Sequence, residues 1–224
     1  MIAFARLPTA VCGIFLALFS VAHAAMPADA PDARDHALIS RYAGSWLVGQ
    51  EVKGFDQVGF PSGSQNGEVA KVEGRVTRLF YLAPAGRSVL EVQRNYEQAL
   101  ERAGVARRDS CAEDCGARTL GRLREQPANP SLPKGQLEGW SPITLLQQWQ
   151  DPGTERYWYV TINAAGGTVH VAILSAKPGT VALSGKYVAT VVQIVETKAM
   201  EADKVLVDAS ALTKGLQAEG KVAL

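Results

Sequence analysis

Several stretches of the chain alternate apolar and polar residues with a period of two, the mark of strands with one buried face. Trp46, Val48 and Val52 share one parity and predict a strand over about Ser45–Lys53. A turn-rich connection follows from Phe55 to Gly67, carrying Pro61-Ser62-Gly63-Ser64-Gln65-Asn66-Gly67. Lys71–Leu82 is the next strand, with Val72, Val76, Phe80 and Leu82 on one face and Lys71, Glu73, Arg75 and Thr77 on the other. Arg78 interrupts that apolar face. A paired or snorkelling arginine accounts for it more simply than a functional one. Tyr157–Ala176 alternates twice around Gly166-Gly167, which predicts a hairpin over 156–175, and the Val-rich segment Tyr187–Glu196 predicts a further strand.

The period changes to that of a helix after Pro84-Ala85-Gly86. Ser88 and Glu91 fit an S-x-x-E capping box, Val89, Val92, Tyr96 and Leu100 recur at helical spacing, and Gly104 supplies the stop. Residues 105–139 are less regular and leave a short strand over Val105–Asp109 as an option. Ser141-Pro142 with Ile143, Leu145, Leu146 and Trp149 would make one or two helical turns, and Asp208 or Ser210 would cap a short helix reaching Gly220. These elements imply an α+β domain: an antiparallel sheet of about five strands, one main helix on a face, and a short C-terminal helix.

The N-terminus reads as an export signal. Arg6 precedes the apolar run from Ala10 to Ala22, and Ala22-His23-Ala24 is a small-x-small site placing cleavage between Ala24 and Ala25. Cys12 lies within the run after Val11, which argues against lipid attachment. The organisation expected is thus a signal peptide over 1–24, a flexible Ala/Pro/Asp-rich leader over 25–40, an α+β periplasmic domain over 41–200, and a helix with a linker-like end over 201–224. Removing the signal leaves 22 basic and 22 acidic residues. That neutrality excludes an electrostatic nucleic-acid binder. The charge-free stretch 157–176 is long enough to span a bilayer, but its period of two around Gly-Gly opposes that reading.

Chemistry is sparse. Cys111 and Cys115, the cysteines of the processed chain, are spaced C-x-x-x-C, which in an exported protein reads as a disulfide. A redox pair is disfavoured because Glu113 and Asp114 would raise a thiol pKa. Neither His36 nor His170 stands at metal-ligand spacing, so neither a metal nor a cofactor is expected. No G-x-S-x-G, P-loop or dinucleotide fingerprint occurs. His170 has the parity opposite Val169, Val171 and Ile173, as an exposed or half-buried strand residue would.

Several segments together resemble one family. Asp35-His36-Ala37-Leu38-Ile39-Ser40-Arg41-Tyr42 with Gly44, Val72-Glu73-Gly74-Arg75-Val76-Thr77-Arg78, Pro84-Ala85-Gly86-Arg87-Ser88 and Glu91 to Leu100 are similar to the exported N-terminal region, of unknown function, that precedes the OmpA-like domain in some bacterial envelope proteins. The resemblance extends through the cysteine segment to Gly220-Lys221-Val222-Ala223-Leu224. In such proteins that last segment leads into an OmpA-like domain, whose Asp and Arg hold peptidoglycan. Those residues are not in this sequence, so peptidoglycan binding is not carried over. The resemblance implies a non-catalytic periplasmic binding, spacer or adaptor module, peripheral to the outer membrane, with an envelope protein or glycan as partner. The alternative is a periplasmic hydrolase or small-ligand-binding protein, with Arg78, Glu138 and His170 as its ligand candidates.

Overall fold

The computed structural model describes residues 29–61, 69–112, 154–178, 186–202 and 204–205. Its frame is a six-stranded, wholly antiparallel sheet. The strands are β1 (Trp46–Pro61), β2 (Val69–Leu82), β3 (Arg107–Ala112), β4 (Arg156–Ala164), β5 (Gly167–Ala176) and β6 (Ala189–Thr197), with the helix α1 (Val89–Arg102) between β2 and β3. Their spatial order is β1-β2-β6-β5-β4-β3. Two hairpin-built pieces, β1–β2 and β3–β4–β5, are thus joined by β6 in the middle.

This corrects the expected α+β class with about five strands, a main helix and a C-terminal helix. Strand makes up 53% of the described residues and helix 12%, all of it α1. Two things raised the strand content. Arg107–Ala112 forms a full edge strand, and β1 runs on to Pro61 through residues that read as a connection. The expected helices near Ser141 and after Asp208 lie outside the described residues, as do the signal segment and the cleavage pair Ala24 and Ala25.

The helix forms where its caps place it. Ser88 Oγ accepts the Glu91 N–H at 3.0 Å, and beyond the C-cap Ala103 the chain turns at Gly104, whose φ of 80° favours a residue without Cβ. Val89, Val92, Tyr96 and Leu100 are buried and pack over β4 and β5. Beneath them lie Leu47, Leu79, Trp158, Val160, Val171, Ile173, Val192 and Ile194, the helix-side core.

The opposite, inner face is equally dry. Trp46, Val48, Phe80, Leu82, Tyr157, Tyr159, Leu174 and Val191 form a second core there. Part of its cover comes from the sheet itself. Phe60 on β1 stacks on Tyr159 of β4 with ring centroids 4.8 Å apart, and the Tyr157 hydroxyl donates to the Pro61 carbonyl at 2.9 Å. Across a flat sheet four strand spacings would separate β1 from β4, roughly 19 Å. The far end of the β1–β2 hairpin therefore folds over the inner face. Register shifts at Leu47/Gly49 and Lys53/Asp56 supply the bend. Gly74, where β2 leaves β6, lets the strands close: a Cβ there would sit 2.2 Å from the Glu196 carbonyl oxygen.

The first register shift also corrects the expected face of β1. Val48 is buried in the inner core, whereas Val52 is 48% exposed, so the two lie on different faces despite their shared parity. The leader departs from its composition too. From Asp29 onward it is pinned: Ala30 N donates to Leu47 O at 2.8 Å, and Ala30 and Ile39 are buried.

Candidate functional site

The antiparallel register sets one row of side chains across the inner face. Glu51 pairs with Arg78, Arg78 with Gln193, Gln193 with Ala172, Ala172 with Tyr159, and Tyr159 with Asp109. The next row includes His170, opposite Val195 and Thr161. Arg78 and His170, both candidates from sequence, are thus brought to the same face. Glu138 and Cys115 lie outside the described residues. Cys111 sits half-buried on β3 opposite Tyr157, packed against the inner core.

Arg78 is buried at 5% exposure and is held from both sides. Its Nε donates to Gln193 Oε1 at 2.8 Å, and its Nη1 pairs with Glu51 Oε2. A guanidinium in an apolar layer persists only when its donors are met and its charge is balanced; Gln193 takes Nε, and Glu51 takes Nη1 and balances the charge. The adjoining Gln193 is less completely used: its Nε2 is buried without a hydrogen-bond partner. His170 Nδ1 and the Tyr159 hydroxyl are 2.7 Å apart, with the Phe60 ring 5.8 Å from the imidazole. Burial pushes the neighbouring Tyr157 hydroxyl well above the ordinary tyrosine pKa, so it remains a proton donor to Pro61.

A second constellation, missed in the sequence, lies where the leader crosses the sheet. Arg41 Nε contacts both Asp35 oxygens at 2.9 and 3.0 Å, and its Nη1 donates to Asp29 Oδ1 at 2.7 Å and to the Ser45 carbonyl at 3.1 Å. Asp29 Oδ1 also accepts the Leu47 N–H, and Asp35 Oδ1 accepts the Tyr81 hydroxyl at 2.8 Å. The guanidinium lies 5.7 Å from the Tyr81 ring centroid. The hydrogen bond from Arg41 holds Asp29 below the ordinary aspartate pKa, and reciprocally raises that of Arg41. Burial, then the Asp35 contact, raises that of Tyr81. Tyr42 completes the attachment to α1: its N–H donates to the Tyr96 hydroxyl at 3.1 Å and its own hydroxyl to Glu91 Oε1 at 2.6 Å.

Asp29, Asp35 and Arg41 stand in the leader and at its border, where a run of Ala, Pro and Asp signals little packing. Asp35 and Arg41 both fall in the Asp35–Tyr42 segment that carries the family resemblance, but a separation of six residues does not by itself pair an acid with a base. Among the described residues no cluster of three or more His, Cys, Asp or Glu side chains is placed to hold a metal ion. A scan of protein-family models finds no match to the chain, and no curated protein matches it in sequence.

Proposed function

We propose that this chain is an exported, non-catalytic module of the bacterial cell envelope that binds an envelope protein or glycan. Its resemblance to the region preceding OmpA-like domains and its signal-like N-terminus support export to the periplasm. The observation that carries the non-catalytic reading is the engagement of Arg78. The most deeply buried charge of the inner face bonds to Glu51 on β1 and Gln193 on β6, a role in joining three strands. His170 is likewise spent on Tyr159. A general acid or base needs a reacting partner within hydrogen-bond reach, and these contacts go to the protein itself.

The test has two parts. Osmotic shock should release a protein whose intact mass corresponds to a start at Ala25. A photo-crosslinker placed in cells at the exposed Leu90 should give a discrete adduct of constant mass. Retention of residues 1–24, or turnover of an envelope substrate by the purified protein, would overturn the reading in favour of an anchored protein or a hydrolase.

A further inference from the structure

A groove of about 310 Å³ runs between residues 40–43 and the C-terminal half of α1. That volume is at the small end of ligand sites. Ser40, Arg41, Asn95, Tyr96 and Arg102 supply its polar groups, and no Asp or Glu lines it. Ala43 and Ala99 also line it, with side chains that stop at Cβ.

The donors differ in how they are held. The Arg41 guanidinium is fixed through Nε and Nη1 by Asp35, Asp29 and the Ser45 carbonyl, while Nη2 makes no hydrogen bond to a described residue. A fork held this way loses little freedom when a ligand arrives. Arg102 is exposed and has no ion-pair partner among the described residues. The Tyr96 hydroxyl, on a side chain only 3% exposed, accepts the Tyr42 N–H and so keeps its own proton to donate. Asn95 Nδ2 donates to the Glu91 carbonyl, leaving Oδ1 to accept from a ligand hydroxyl. The last-turn carbonyls of Leu100 and Glu101, which would repel an anion, accept the Ala103 and Gly104 N–H groups.

We propose that this groove binds a small phosphate ester bearing hydroxyl groups, its oxyanion held by Arg41 and Arg102. Two guanidinium groups suit a dianion better than a lone carboxylate, and guanidinium forks match phosphate oxygens in geometry. Asp29 and Asp35, behind Arg41, weaken the local field, so the affinity is modest, about 1 mM. The inference goes beyond the adaptor reading and does not depend on it.

Titration of the full mature chain with glycerol 3-phosphate, followed by amide NMR, tests it. Saturable shifts are expected at residues 40–43 and 95–102, with none from glycerol and weaker ones from acetate. Arg102→Glu should weaken binding at least about tenfold, the scale of one lost charged hydrogen bond. Ala99→Leu, which fills the groove with a good helix former, should do the same with thermal unfolding unchanged. Binding of phosphatidylglycerol vesicles alone, abolished by Arg102→Glu, would support the phosphate chemistry with a lipid as its source. Absence of saturation with ester and vesicles, equal response to acetate, or an Arg102→Glu protein that binds like wild type would overturn the proposal. Each of those failures leaves the crosslinking result standing.

Discussion

Arg78 and Glu51 are directly opposed across the β1–β2 pair, and both side chains are largely withdrawn from water, at 6% and 12% exposure. The pair sits in the row that also carries Gln193, so its removal is felt on three strands. Arg78→Ala should destabilise the protein by about 3–5 kcal/mol, the usual cost of leaving one buried charge alone. The double change Arg78→Met with Glu51→Leu should recover most of that loss, since apolar replacements of similar volume remove both desolvation penalties. Urea denaturation of the singles and the double decides it. A double variant as unstable as Arg78→Ala would mean that the arginine's contribution is not the ion pair.

The helix gives a cleaner contrast. Leu100 is 3% exposed within the helix-side core, whereas Glu97 is near the surface, 3.8 Å from Arg94. Leu100→Ala should cost about 2–5 kcal/mol and Glu97→Ala about half a kcal/mol or less. Chemical denaturation of both variants measures the difference, and the reverse ranking would contradict the burial of this face.

Protonation of Asp29 should loosen the leader. Its folded pKa lies below the unfolded value, chiefly through the Arg41 hydrogen bond. The stabilisation is therefore complete above the unfolded pKa, about 3.9, and disappears as pH falls through the lower folded value. The unfolding midpoint should fall with acidification below about pH 4, and Asp29→Asn should remove that component while lowering stability at neutral pH. Hydrogen exchange at the Leu47 amide, which Asp29 accepts, reads the same event locally. Unaltered exchange in Asp29→Asn would show that the contact does not hold the leader.

Backbone approach at Gly74 forbids a side chain. With a Cβ only 2.2 Å from the Glu196 carbonyl, Gly74→Ala must push β2 from β6 and should destabilise by more than about 1 kcal/mol. The exposed Gly86→Ala, which meets left-handed strain at φ 81° but open space around its Cβ, should cost less. Thermal unfolding of the two variants separates steric conflict from backbone strain.

On the proposed export to an oxidising compartment, Cys111 and Cys115 should be bridged, with no thiol labelled under denaturing conditions until reductant is added. So short a loop contributes only about 2 kcal/mol, and Cys111→Ala should lower stability by no more than that. A labelled thiol in the oxidised protein would refute the pairing.

Local signals carried much of this fold. The capping residues Ser88 and Glu91 and the 3.6-residue repeat from Val89 to Leu100 define a helix whose buried face is the one observed. The alternation around Gly166-Gly167 places Trp158, Val160, Ile162, Val169, Val171 and Ile173 on the helix side, where they are found. Alternation did not reveal that Tyr157, Tyr159 and Leu174 are buried too, because aromatic and polar residues on a second face look like solvent-facing positions until something covers them. Nor could a period-two reading survive the bulge at Leu47/Gly49, which exchanges faces near the start of β1. Arg78 reads correctly as a paired arginine, but neither Glu51 nor Gln193 could be nominated as its partner. The latter is 115 positions away, and only the sheet order brings it alongside.

That sheet order has a consequence for how the protein is made. β6 is the last described strand to be synthesised, yet it is the one that joins β2 to β5. Until residues 189–197 are available, the β1–β2 hairpin and the β3–β5 meander are separate half-sheets, each with a bare hydrogen-bonding edge, and Arg78 lacks Gln193. Closure over such long sequence separations is slow, and open edges invite pairing with other chains. A stop codon between positions 177 and 189 would therefore yield two adhesive fragments of sheet on one chain, not a smaller copy of the fold.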